Sequence, residues 1–179
     1  LHTHESAPLA EIVRDVNKFS NNVMARQLFL TLATSAYDPP ARAQQAQLVL
    51  RHWLNVKGIA APQLSIENGA GLSRTDRASA ASLAALLQAG WKSAVMPEYV
   101  ASLPLAALDG TMRKRLHGEP VAGQAHMKTG LLSDARAMAG YLLDAKGRRQ
   151  IVVMLMNHPN APDAEAANDA LLRWVYERK

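Results

Sequence analysis

Apolar positions recur at helical spacing through the first two thirds of the chain and at strand spacing near its end. From Pro8 to about Thr34 the pattern predicts two helices with a polar break. Ile12, Val13 and Val16 form an apolar stripe before the break, and Met24, Leu28 and Leu32 resume one after it. The break itself is Phe19-Ser20-Asn21-Asn22, rich in side chains that compete for backbone hydrogen bonds and cap helices. Asp38-Pro39-Pro40 is a stop, and Ala41 to Lys57 resumes a helical pattern that Gly58 can end. Leu64-Ser65-Ile66 suits a brief extended piece. A helix is predicted from about Thr75 to Ala89, with Gly90 just past its end, and short helices over Pro97 to Leu103 and Leu105 to Leu108.

The character changes after Gly118. His126-Met127-Lys128-Thr129-Gly130 reads as a strand. Ala137 to Leu143 and Gln150 to Met156 flank Asp144-Ala145-Lys146-Gly147-Arg148-Arg149, which predicts an antiparallel hairpin. Ile151 to Met156 is apolar on both faces, as for a central strand covered on both sides. Pro162 introduces a last amphipathic helix reaching Trp174-Val175. Helices first, then three strands and a helix, make an α/β (α+β) chain.

Composition narrows the chemistry. A length of 179 residues suits one domain, two at most, and zero cysteines exclude a disulfide framework, a thiolate metal site and a cysteine nucleophile. A net charge of +5 is modest. Aromatics are only 5%, and of the two basic runs, Arg113-Lys114-Arg115 and Lys146-Gly147-Arg148-Arg149, the second falls on a hairpin turn, so a nucleic-acid partner is not expected. The histidines at 2, 4, 52, 117, 126 and 158 show no zinc spacing, and Gly69-x-Gly71 lacks the third glycine of a dinucleotide site; no cofactor or metal is expected. No apolar run is long enough to cross a bilayer, and the first residues carry no secretory signal. Without an initiator Met, the chain is expected to begin inside a larger gene product.

Two tripeptides stand out: Ser20-Asn21-Asn22, an S-x-N in a break between helices, and Lys128-Thr129-Gly130, a K-T-G on a strand. Alone, the first reads as a helix cap and the second as a chance strand end. Together, in this order and context, they match the two elements that accompany the serine nucleophile motif S-x-x-K in penicillin-binding proteins and class A β-lactamases. The flanking residues extend the match over essentially the whole chain. Ile12 to Asn22 with Ala25-Arg26-Gln27-Leu28, the segment Asn68-Gly69-Ala70-Gly71-Leu72-Ser73-Arg74, and His126-x-Lys128-Thr129-Gly130 followed by Ala139-Gly140-Tyr141 resemble the D-alanyl-D-alanine carboxypeptidase/endopeptidase family of low-molecular-mass class C penicillin-binding proteins (peptidase family S13). Asn68 and Ala70 replace that family's acid and serine, and Leu131 replaces its hydroxyl residue after K-T-G.

The resemblance implies a β-lactamase/DD-peptidase-like transpeptidase fold, of which residues 1–179 would be the helical subdomain, the C-terminal strands and the C-terminal helix. It implies an acyl-enzyme route on peptidoglycan stem peptides, acylation by β-lactam antibiotics in the full-length protein, and a periplasmic location. Lys128 would face the substrate's terminal carboxylate, with Thr129 hydrogen-bonding it. Gly130 would let substrate lie along the strand edge, and the Leu131 N–H would be one oxyanion donor. Ser20 would relay a proton and Asn22 would hold the substrate's peptide group.

The nucleophile motif S-x-x-K is missing. The residues three before Lys18, Lys57, Lys92, Lys114, Lys128, Lys146 and Lys179 are Asp15, Leu54, Ala89, Thr111, Ala125, Leu143 and Tyr176. Only Thr111 bears an aliphatic hydroxyl, and the family places S-x-x-K before S-x-N. The nucleophile-bearing N-terminal part is therefore expected to lie outside this chain, leaving it inactive alone. Two further positions keep two readings each: Gly69–Arg74 as a turn or as part of the site, and His126 as site lining or as a structural histidine. The rival functions are a β-lactamase-like hydrolase, for which no deacylating Glu motif stands out, and a non-catalytic basic interaction module.

Overall fold

The computed structural model describes residue 3 and residues 5–178. His2, His4 and Lys179, which enter the metal and S-x-x-K readings, lie outside the described residues. The elements follow the predicted order: α1 (Leu9–Lys18), α2 (Asn22–Ala33), α3 (Ala43–Val56), α4 (Ala80–Trp91), α5 (Met96–Ser102), β1 (Ala125–Leu132), β2 (Ala135–Leu143), β3 (Arg149–Asn157) and α6 (Glu165–Glu177). The strands form one antiparallel sheet in the order β1-β2-β3, with Lys128 opposite Ala139 and Leu131 opposite Arg136.

Side-chain alternation gives the sheet two buried faces. On one, Met127, Met138, Leu142 and Val152 pack with Met112 and with Leu172 of α6. On the other, Tyr141 packs with Leu87 of α4, Val100 of α5 and Leu103. Each fully buried large side chain contributes about 1.5–3 kcal/mol. A separate core joins α2 to α3, where Phe29 meets the small Ala33 and Ala46.

Four expectations are corrected. The fourth helix starts at Ala80, not near Thr75, because Arg77 pairs with Ser65 through two backbone bonds of 2.9 Å. Ser79 then caps α4, its hydroxyl accepting from the Ser82 N–H at 3.1 Å. Gly90 lies inside α4 rather than beyond it; a Cβ there would fall 2.8 Å from the Tyr99 ring. Leu105 to Leu108 is not a helix. The segment runs along β1, with Ala106 N–H donating to the Ala125 carbonyl and Met127 N–H to that of Pro104, and a 3-10 turn follows at Gly110–Met112. Finally, β2 is the central strand, whereas among the described residues β3 is an edge whose Ile151 and Leu155 are 37% and 38% exposed.

Candidate active site

The turn between α1 and α2 is tight, and its tightness orients Ser20. Phe19 N–H still bonds the Asp15 carbonyl and Asn21 N–H that of Val16, so the chain reverses within one residue. Ser20 takes φ +52°, a left-handed conformation that costs a non-glycine residue roughly 1–2 kcal/mol. Capping falls to Asn21, whose side chain accepts from the Met24 N–H at 3.1 Å. The Ser20 hydroxyl, left out of the cap, receives a hydrogen bond from Lys128 Nζ at 2.8 Å across 108 residues.

Lys128 is set by β1. Its ammonium has three donors, and a second goes to the Thr129 carbonyl at 2.9 Å. Burial pushes its pKa down from the usual lysine value, because the charged form loses hydration. Backbone direction along this edge strand follows from its other bonds. The Ala125 carbonyl and the Met127 N–H both face away from β2, toward Pro104 and Ala106. Antiparallel alternation therefore turns the Thr129 carbonyl and the Leu131 N–H outward as well, over the edge that no strand covers among the described residues.

These groups line a cavity of about 610 Å³ together with Thr111, Arg115, Arg136, Glu165 and the segment Gly69 to Leu72. Asn22 reaches across it, its amide donating to the Ala70 carbonyl at 2.6 Å. Gly69 has φ +72°, and a Cβ there would sit 2.4 Å from Phe29 Cβ, so only glycine lets this turn close on α2. Asn68, in place of an acid, still accepts from the Ala70 N–H at 2.9 Å through its Oδ1. Farther along, Arg74 ties the segment to the β1–β2 turn through Asp134 at 2.6 Å and Ser133 at 2.5 Å. Gly69–Leu72 is thus cavity wall, and Arg74 is its clamp to the sheet.

The structure brings all six predicted positions, Ser20, Asn22, Lys128, Thr129, Gly130 and Leu131, to this one cavity. His126 is not among its lining residues. Its ring lies on the Lys18 side of the strand with a buried Nδ1; burial first, then the charges of Lys18 and Arg149, push its pKa down, against a smaller opposing pull from Asp109. Four participants are not singled out as site residues by the sequence: Arg115, part of a basic run and held by Asp169 at 2.5 Å; Arg136, bound to the carbonyls of Ala161 and Pro162; Glu165; and the Lys18–Asp109 pair. Lys18 is 12% exposed and bonds Asp109 at 2.6 Å and the Leu103 carbonyl at 2.6 Å, which fixes the end of α1 just ahead of Ser20. Thr111 was visible only as a poor S-x-x-K candidate. Its hydroxyl lies 2.9 Å from that of Thr129.

Comparison with known proteins agrees with the geometry. The profile of the D-Ala-D-Ala carboxypeptidase 3 (S13) family matches residues 1–178. The chain is 28% identical over 180 residues to the D-alanyl-D-alanine carboxypeptidase DacB of Haemophilus influenzae, covering 99% of this chain and 38% of that protein. It is 29% identical over 177 residues to a D-alanyl-D-alanine carboxypeptidase of an Actinomadura species, covering 96% and 32%. Among solved structures, penicillin binding protein 4 of Haemophilus influenzae, complexed with a β-lactam, superposes with a TM-score of 0.86 at 27% identity, over 97% of this chain and 43% of that one. A predatory endopeptidase of Bdellovibrio bacteriovorus shares the fold, with a TM-score of 0.72 at 20% identity over 96% and 43%. The chain thus spans about two fifths or less of the relatives it matches.

Proposed function

The chain belongs to the D-Ala-D-Ala carboxypeptidase 3 (S13) family, and on that premise we propose that it is the C-terminal part of a periplasmic serine-type D-Ala-D-Ala carboxypeptidase/endopeptidase. The observation that carries the reading is the 2.8 Å bond between Lys128 and Ser20 in the lining of the cavity, joining the K-T-G and S-x-N motifs. The serine nucleophile comes from a part of the protein outside these residues, since no lysine here has a serine three positions before it. The open edge of β3, with Ile151 and Leu155 exposed, suits cover by that part.

The substrate is the D-Ala-D-Ala end of a peptidoglycan stem peptide. Its terminal carboxylate sits against Lys128 and the Thr129 hydroxyl, a charge-assisted cluster. Gly130 leaves room for the peptide to extend along the β1 edge, and the outward Leu131 N–H bonds the carbonyl oxygen as it becomes an oxyanion, worth roughly 3 kcal/mol in the transition state. Asn22 keeps the peptide group in register. The nucleophile's oxygen bonds the penultimate D-Ala carbonyl carbon, the C–N bond breaks, and the departing D-Ala amine takes its proton by way of Ser20. Water then cleaves the ester, regenerating the serine. β-Lactams enter the same route and stop at the ester.

The test is release of D-alanine from a pentapeptide ending in D-Ala-D-Ala by the full-length protein. Release that prior penicillin abolishes is the expected result. No release, or rapid turnover of the penicillin itself, would remove this reading, the latter in favour of a β-lactamase-like hydrolase.

A further inference from the structure

We propose that Thr111 is a positioning residue for substrate, acting through the Thr129 hydroxyl; the inference rests on the reading above, in which Thr129 bonds the substrate carboxylate. Thr111 is exposed in the cavity, yet its backbone is held on every side. Immediately before it, Asp109 accepts from Lys18 and, at 2.8 Å, from the Leu105 N–H. Gly110, at φ +54°, lies so close to the end of α1 that a Cβ would fall 2.7 Å from the Lys18 carbonyl oxygen. Immediately after it, Met112 is fully buried in the main core. A solvent-facing threonine on so rigid a turn points its hydroxyl at one place, the Thr129 hydroxyl 2.9 Å away.

The two hydroxyls hold two protons between them, and the hydrogen bond they share uses one. When Thr111 donates, both the Thr129 proton and its direction are freed for an acceptor in the cavity. Lys128 cannot set that direction, because its bond within the K-T-G strand goes to the Thr129 carbonyl, not the hydroxyl. A carboxylate arriving beside Lys128 therefore meets a Thr129 donor that is already aimed, and the rotor entropy of that hydroxyl is lost before binding rather than during it. The bond persists in ground state and transition state alike, so its loss raises KM and leaves kcat nearly unchanged.

The experiment measures D-alanine release by the full-length protein carrying T111V, T111S, T129V and T111V/T129V. T111V is expected to raise KM about 3–10-fold, the scale of one lost hydrogen bond, with kcat within about twofold. T111S, which keeps the hydroxyl, restores KM. The double variant is expected to be no worse than T129V alone, since Thr111 acts only through Thr129. An unchanged KM in T111V, a fall in kcat with KM constant, or a T111V effect that persists in full on the T129V background would each overturn the role. A wild-type protein that releases no D-alanine overturns the functional reading beneath it; a working wild type with an indifferent T111V overturns Thr111 alone.

Discussion

In the α1–α2 turn, capping and the contact to Lys128 fall to two neighbouring residues that the amino-acid order does not tell apart. Ser20, Asn21 and Asn22 are all good capping residues, and only the positive φ of Ser20 assigns the cap to Asn21 and turns the serine toward Lys128. Lys128 is costly to keep in that place, because burial disfavours its charge and lowers its pKa. Lys128→Ala in the full-length protein is therefore expected to reduce kcat/KM for D-alanine release on the order of 100-fold, the loss of charge-assisted bonds, while the thermal midpoint holds or rises. A fully active variant, or activity lost only through unfolding, would contradict the role given to Lys128. Position by position, the six motif residues were legible because their types are tied to chemistry. Thr111, Arg115, Arg136 and Glu165 were not, since threonine, arginine and glutamate are ordinary surface residues until packing holds them at a cavity.

At the scale of elements, the strands and most helices were legible from periodicity, and the failures share one cause: contacts remote in sequence. Arg77 is drawn into a bridge with Ser65, Leu105 lies against His126, and Gly90 is kept small by Tyr99 from the next helix. Gly140 belongs to the same class. A Cβ there would lie 2.0 Å from the His126 carbonyl oxygen, so the Ala139-Gly140-Tyr141 run lets β2 press against β1, with the Tyr141 hydroxyl donating to the Leu87 carbonyl at 2.6 Å on the far side. The β2–β3 turn is fastened by Asp144. Burial alone would raise its pKa, but the Arg148 N–H, Gln150, the Arg148 side chain and the Lys146 N–H all donate to it and hold it well below the usual carboxylate range. A depressed folded-state pKa stabilises the fold at pH values above the unfolded-state pKa of about 3.9, and that stabilisation fades as pH falls through the folded-state value. In urea titrations, the gap in midpoint between wild type and Asp144→Asn is thus expected to be full at pH 6 and to narrow steadily toward pH 2; a gap constant with pH would remove the carboxylate as its source.

For the whole molecule, the sequence pattern suggested an ordinary domain, and its motifs suggested part of one. The family profile spans residues 1–178, while the matched relatives are more than twice as long. The cavity brings together Lys128, the hydroxyls of Thr111 and Thr129, an outward N–H at Leu131 and Ser20, while no lysine of the sequence has a serine three positions before it. Its walls come from both ends of the chain, α1–α2 on one side and β1 with α6 on the other, so the site is a product of the tertiary fold. What periodicity could not convey was this convergence; only the joint presence of S-x-N and K-T-G hinted at it. No described helix is long and apolar enough to cross a membrane.

The most direct test of the central claim is to acylate the full-length protein with penicillin and map the penicilloyl ester by peptide mass spectrometry. The ester is expected on a serine outside these 179 residues, followed three positions later by lysine. An ester on Ser20, or on any other residue within this chain, would contradict the account.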